Sequence, residues 1–336
     1  MALCERLICK PRVVPKRMQT VEYDRLVHIP FLRNAAEVLI ADLGLHKTAP
    51  EWSTLPLPIS ADLWPSTHTL RLRNMDPLVL VRFCPNLACL HITFKSFAND
   101  WLVFFAGDHR FPYTASFAHD VSARLRVLEV FVEGRGPMPG ETVVATVRAT
   151  QPVVFSVECY DGAAFWGQLA ALFEHPAARL RYLDVLMHGD VDDAQKWMDK
   201  YLPLLSASNI LCVRLKLALD SNDFNVSSDF DSHSDTGYDN DGKWEKLGNA
   251  APRLLAEEIP TLRYVAVASG RMVVNADSDI PQGSIFRGRM HRWWRIDAGE
   301  AVAEKRSVDL VEISAEEGQR LDEYMRGEAF ADTLQL

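Results

Sequence analysis

Residues 122–134 and 177–189 carry nearly the same text. Both read Ala-Arg-Leu-Arg-x-Leu-x-Val and both close on glycine, for seven identities across the stretch. They stand 55 residues apart, and Val154-x-x-Val157-x-Cys159 repeats the same apolar spacing between them. The interval therefore divides into two units of about 27 residues, the period of a solenoid. A stack of similar strand-and-connection units presents a broad surface to another macromolecule and contains no built-in chemistry.

The unit reads apolar-x-x-apolar-x-apolar, and its last two apolar residues alternate as a half-buried strand requires. Copies fall at Met18/Val21/Tyr23, Ala35/Val38/Ile40, Leu70/Leu72, Leu87/Leu90/Ile92, Leu125/Leu128/Val130 and Val154/Val157/Cys159. They continue at Leu180/Leu183/Val185, Ile210/Val213/Leu215 and Leu262/Val265/Val267, then more loosely at His291/Trp294/Ile296 and Val308/Val311/Ile313. The specific copies are Leu-Arg-x-Leu/Val-x-Val beginning at 125, 180 and 262. This spacing predicts an α/β fold: an irregular repeat solenoid, a horseshoe with a parallel concave sheet and helices or loops on its convex side.

The text between strands supplies the crossovers that parallel pairing demands. Asp76-Pro77 reads as an N-cap and first-turn proline opening a short helix through Phe83. Residues 165–174, 193–205 and 245–259 carry apolar residues at helical spacing, including Trp197, Met198, Tyr201, Leu202 and Leu205. Ser314-x-x-Glu317 is a capping box that opens a last helix, over 314–334, with Leu321, Tyr324 and Met325 on one side. It is read as a lid over the final repeat. Repeat text thus fills 10–313, interrupted at 220–244 by an Asp-, Ser- and Asn-rich run whose composition predicts a mobile acidic insertion. Because the array starts near Met18, its first edge is expected to be uncapped and to pair with an upstream segment or a partner chain.

Hydrophobic residues make up 48% of the 336 and charged residues 24%, which excludes wholesale disorder. No apolar run approaches the roughly 18 residues that span a bilayer, and residues 1–20 lack a signal-like apolar core. Neither a membrane nor the secretory route is expected. Six dispersed cysteines read as small hydrophobes of a reducing compartment, cytoplasm or nucleus. A net charge of −9 argues against general nucleic-acid binding.

Residues with chemical potential are better explained without it. Cys84, Cys89 and His91 have soft-ligand chemistry, but no fourth ligand is near in sequence, so no metal is expected. Asp239-Asn-Asp-Gly242 matches part of a calcium loop in the wrong register. His119-Asp120 diverges in either regular conformation, and no nucleophile elbow or phosphate loop occurs. No cofactor and no enzymatic activity are expected. The cluster Arg287, Arg289, His291, Arg292 and Arg295 with Phe286, Trp293 and Trp294 reads as the aromatic end of a core rather than an anion clamp.

The strand face opposite the leucines is the candidate partner surface. With Leu128, Val157, Leu183 and Val213 inward, Glu129, Glu158 and Asp184 stack as like charges in adjacent rungs about 4.8 Å apart, which a basic partner would relieve. Tyr182 and Arg214 share that face, Arg71 and Arg214 bound the acidic strip, and His91 lies beside it. A protein target on the concave face is the expected partner.

Three phrases carry a resemblance: Cys84-Pro-Asn-Leu-x-x-Leu90, Leu180-Arg-Tyr-Leu-Asp-Val185, and Ile259-Pro-Thr-Leu-Arg-Tyr-Val-Ala-Val267 followed by Arg292-Trp-Trp-Arg-Ile296. With them the chain resembles the irregular leucine-rich-repeat region of fungal, basidiomycete-type F-box proteins, over residues 10–300. The resemblance implies a non-enzymatic substrate receptor of a cullin-type ubiquitin ligase, with a Skp-type adaptor as a second partner where an F-box precedes the array. Residues 1–50 read as repeat strands rather than as an F-box. Leu55-Pro-Leu-Pro-Ile59 and Leu63-Trp-Pro65 echo F-box words without three-helix text ahead of them. The alternative is a free-standing interaction or structural repeat protein with no ubiquitin link.

Overall fold

A short turn recurs before the strands and sets their spacing. In Cys84-Pro-Asn-Leu87 the Leu87 N–H donates to the Cys84 carbonyl at 3.1 Å, and in Ile259-Pro-Thr-Leu262 the Leu262 N–H donates to the Ile259 carbonyl at 3.1 Å. The polar third residue of each reaches back to the preceding turn. Asn86 Nδ2 donates to the Pro65 carbonyl at 2.8 Å and Thr261 Oγ1 to the Ile210 carbonyl at 2.7 Å. Paired N–H groups of Ala88 and Cys89 meet the His68 carbonyl, those of Arg126 and Val127 the Ala88 carbonyl, and those of Leu211 and Cys212 the Arg181 carbonyl. Equivalent text therefore makes equivalent bonds, and each turn hands its neighbour the register of the next strand.

The structure is a computed structural model that describes residues 6–9, 37–41, 64–73, 81, 83–95, 125–133, 140–159, 163–175, 178–189, 191–219, 236–273, 285–288, 291–298, 308–327 and 329–330. They fall into two units, Met1–Val153 and Val154–Leu336. The fold is α/β with a mostly parallel sheet.

In the first unit, β1 (Arg6–Cys9), β2 (Glu37–Ala41), β3 (Thr69–Arg73), β4 (Cys89–Lys95) and β5 (Val127–Glu133) pair in parallel in chain order. Val38, Leu70, Leu90 and Leu128 share one rung, the register that the repeat spacing predicts. Leu70, Leu90 and Leu128 are fully buried. Helix α1 (Gly140–Thr150) buries Val143, Val144 and Val147, and Trp64 packs on Phe83 at 5.8 Å between ring centroids. Strand β1 was not anticipated. The copy at Met18/Val21/Tyr23, most of the helix expected from Asp76, and His119-Asp120 lie outside the described residues.

In the second unit, β6 (Val154–Cys159), β7 (Tyr182–Gly189), β8 (Cys212–Leu219) and β9 (Tyr264–Val273) are parallel neighbours. The chain crosses between them through α2 (Ala163–Phe173), α3 (Val191–Leu205) and α4 (Thr236–Glu258). All five apolar residues expected on α3 are buried, and Trp166 sits edge-on to Trp197 at 5.0 Å, with Tyr201 at 6.1 Å. Phe155 meets Phe173 of α2, so the face bearing Phe155, Leu183 and Val213 packs on the helices. Helix α4 begins at Thr236, so the acidic stretch 220–244 ends inside a helix and its residues 220–235 lie outside the described set.

The last strands correct the all-parallel expectation. Strand β10 (Ile285–Gly288) and β11 (Arg292–Ala298) are both antiparallel to β9, and β12 (Val308–Ile313) is antiparallel to β11. For β12 against β11 the reason is chain length. Residues 299–307 are too few for a crossover, which takes a dozen or more. Helix α5 (Ala315–Arg326) follows β12 after Ser314 alone, whose hydroxyl accepts from the Glu317 N–H as the capping box predicts. Among the described residues no helix is long and apolar enough to cross a membrane.

Candidate functional site

The strand face predicted to meet a target is occupied in the second unit. Helix α5 lies across it. Twelve residues extend about 18 Å, and the four strand spacings from β11 to β6 amount to about 19 Å, so one short helix reaches from one to the other. Its start rests on β11 through Gly318, where an added Cβ would come within 2.2 Å of the Trp293 ring. Arg326 in its last turn donates to Asp184 Oδ2 at 3.0 Å and to Ser156 Oγ at 3.2 Å. Leu321 and Met325 are buried, whereas Tyr324, expected beside them, is exposed. The helix thus starts on β11 and covers the strand face as far as β6.

Beneath it Asp184 anchors a charge lattice. Its Oδ2 accepts from Arg214, from Lys216 at 3.1 Å, from Arg326 and from Ser156 Oγ. A second carboxylate, Asp322 of α5, accepts from the Tyr182 hydroxyl, from Arg214 at 2.9 Å and from Arg326 at 3.0 Å. The guanidinium carbons of Arg214 and Arg326 stand 5.8 and 5.4 Å from the Tyr182 ring centre, so two cations share one aromatic ring. Burial acts to raise the Asp184 carboxyl, but the charges of Arg214, Lys216 and Arg326 outweigh it and hold it well below the usual carboxylate range. Burial, helped by the nearby Asp322 and Asp184 and opposed by Arg214, pushes the Tyr182 phenol well up, which keeps it a neutral donor.

The register explains why the lattice is mixed in sign. Asp184 lies between Ser156 and Arg214, while Glu158 lies in the next rung with Leu186 and Lys216. The expected stack of Glu158 on Asp184 is therefore wrong by one rung. Phe155, not Val157, is the partner of Leu183. The face is nevertheless right, because a slip of two residues preserves the side on which each side chain points. Glu158 and Asp184, expected on a surface offered to a partner, are 4% and 2% exposed.

In the first unit Arg71, His91 and Glu129 occupy one rung, and His91 Nδ1 stands 2.5 Å from Glu129 Oε2. The carboxylate expected to repel its neighbours is paired with one. Cys84 is buried and its thiol is raised by that burial, and among the described residues no three His, Cys, Asp or Glu side chains converge as metal ligands. Trp293 and Trp294 are core residues. Arg292 covers Trp294 at 4.9 Å and forks onto Glu312 with two bonds of 2.9 Å.

Sequence reasoning missed Lys216, Asp322 and Arg326, and it placed His291 in the basic-aromatic cluster rather than beside this lattice. The available signal was Gly318, set in helical register with Leu321 and Met325, where a small residue permits close approach. Burial lowers the His291 imidazole, the charges of Arg214 and Lys216 lower it further against Asp184 and Asp322, and it falls to about 4. Its Nε2 finds no partner among the described residues. Because the folded value lies below the ordinary 6.5, the unfolded chain takes up this proton first. Stability from His291 is full above pH ~6.5 and is lost as pH falls toward ~4, to the extent of about 2–3 kcal/mol. Urea unfolding at pH 7 and pH 4.5 will show that loss, and His291→Gln will diminish it; an unchanged slope in the variant contradicts the assignment.

No protein-family model, curated protein or solved structure matches this chain.

Proposed function

We propose that this chain is a non-enzymatic protein-recognition scaffold, an irregular leucine-rich-repeat array resembling the substrate-holding part of an F-box protein of a cullin-type ubiquitin ligase. The observation that carries the reading is the recurring Pro-polar-Leu turn, which makes the same backbone bond at Leu87 and at Leu262 and ties back to the preceding turn through Asn86 and Thr261. A structure built by repeating one turn grows by adding rungs, and its product is surface. The target lies on the strand faces, with Arg71, His91 and Glu129 as its contacts in the first unit, in the cytoplasm or nucleus.

The test uses the full chain as bait in extract from its own cells. The double variant His91→Leu/Glu129→Met replaces both members of the pair at once by apolar groups of similar size, which costs little stability. Recovery of a specific target is expected to fall by about tenfold, equivalent to ~1.4 kcal/mol, with Tm moving by less than about 4 °C. Equal recovery by bait and variant contradicts the proposed surface. Co-purification of a Skp-type adaptor supports the ligase connection; a target recovered without it favours the free-standing interaction protein.

A further inference from the structure

Helix α5 grips the sheet through one face only. Gly318, Leu321, Asp322, Met325 and Arg326 fall at i, i+3, i+4, i+7 and i+8, the contact stripe of a single amphipathic helix. Of its twelve residues only Gly318, Leu321 and Met325 are buried. Its attachment to β12 is the single residue Ser314. The sheet, moreover, supplies three of the four donors to Asp184 Oδ2 without the helix. Ser156, Arg214 and Lys216 all belong to β6 and β8 and all donate to Asp184 Oδ2. Withdrawing α5 removes one of four donors and leaves a formed, charged socket, with Tyr182 and Trp293 as its apolar floor.

We infer that this face of β6, β7, β8, β9 and β11 is a docking surface for an amphipathic helix, and that α5 is its resting occupant, displaced by a partner helix of the same chemistry. Such a partner carries a small residue where the backbone meets Trp293 and an apolar residue three positions on. A carboxylate follows at four for Arg214 and Tyr182, an apolar residue at seven, and arginine at eight for Asp184. Charge complementarity fixes the direction. A helix laid in reverse would set its arginine toward Trp293 and its small residue over Asp184. This inference rests on the scaffold reading and names the partner's form, but its test requires no target.

Two measurements on the full chain decide it. Native-state hydrogen exchange of the wild-type protein is expected to show residues 319–326 opening with protection about 100-fold lower than the amides of β7 and β8, as a separate unit. In the second, Asp322→Arg sets another guanidinium against Arg214 and frees the helix while leaving the sheet intact. A labelled peptide of residues 314–330 is expected to bind that variant at least about tenfold more tightly than the wild-type chain, whose site is filled. The same peptide with Asp322→Ala and Arg326→Ala is expected to lose that advantage. Protection in α5 equal to that of the strands, or peptide binding no stronger to Asp322→Arg than to wild type, overturns the inference. Should Asp322→Arg fail to fold, the exchange measurement on the wild-type chain decides alone. Failure to find any target counts against the scaffold reading but leaves these two results unaffected.

Discussion

Asp184→Ala is expected to destabilise the second unit by about 3–5 kcal/mol, the cost of stripping the partner from buried charges. In a unit of this size that lowers Tm by roughly 10 °C. Three cations, Arg214, Lys216 and Arg326, converge on this carboxylate, and its side chain is 3% exposed. Without it they face one another, with Asp322 still paired to Arg214 and Arg326. The asymmetry gives a sharper form of the prediction. Replacing Asp184 and Arg214 together by Leu and Met should cost less than Asp184→Ala alone, because packed apolar groups avoid the desolvation that unpaired charges suffer. The contribution of Asp184 has a defined pH window. Its folded-state value is depressed, so its stabilisation is present above the unfolded value near ~3.9 and is lost only as pH falls below it. Between pH 5 and 8 it adds no slope.

Gly318→Leu is expected to undock α5. An added Cβ already lies 2.2 to 2.6 Å from three atoms of the Trp293 ring, and Trp293 is buried. Two effects compete at this position. Leaving glycine inside a helix gains about 1 kcal/mol of propensity, while overpacking against a fixed ring costs about 1–3 kcal/mol or more. The clash wins. Its cost cannot exceed the docking free energy, since the helix can leave. Gly318→Ala and Gly318→Leu should therefore approach a common ceiling on the order of 3 kcal/mol, the worth of burying Leu321 and Met325 less the cost of ordering the helix. A rise in Tm for Gly318→Ala would mean that propensity rules and that the helix does not rest on Trp293.

The strands were legible because their signal is local. Leucines at 90 and 128, and Leu183, Val213 and Val265, fall in the same rungs the spacing assigns them. Strand β6 misled by one rung because Val153, Val154, Phe155 and Val157 offer two apolar frames two residues apart, and both put Ser156 and Glu158 on the same side. The antiparallel end was readable in principle from the short segment 299–307, but the apolar pattern is indifferent to strand direction. What the sequence hid was the cover. Tyr182 and Asp322 are 140 residues apart, and Arg326 and Ser156 are 170 apart. In a helix, Asp322 and Arg326 at i and i+4 read as a solvent-facing pair. Only the fold reveals that both point into the sheet.

The account turns on α5 lying on the strand face through Tyr182 and Asp322, and a double-mutant cycle on that pair tests it most directly. Tyr182→Phe and Asp322→Asn, singly and together, are compared by equilibrium unfolding. A coupling of about 1 kcal/mol or more is predicted, as for groups that share a buried hydrogen bond. Effects that add to within about 0.3 kcal/mol, as for residues that do not touch, would contradict it.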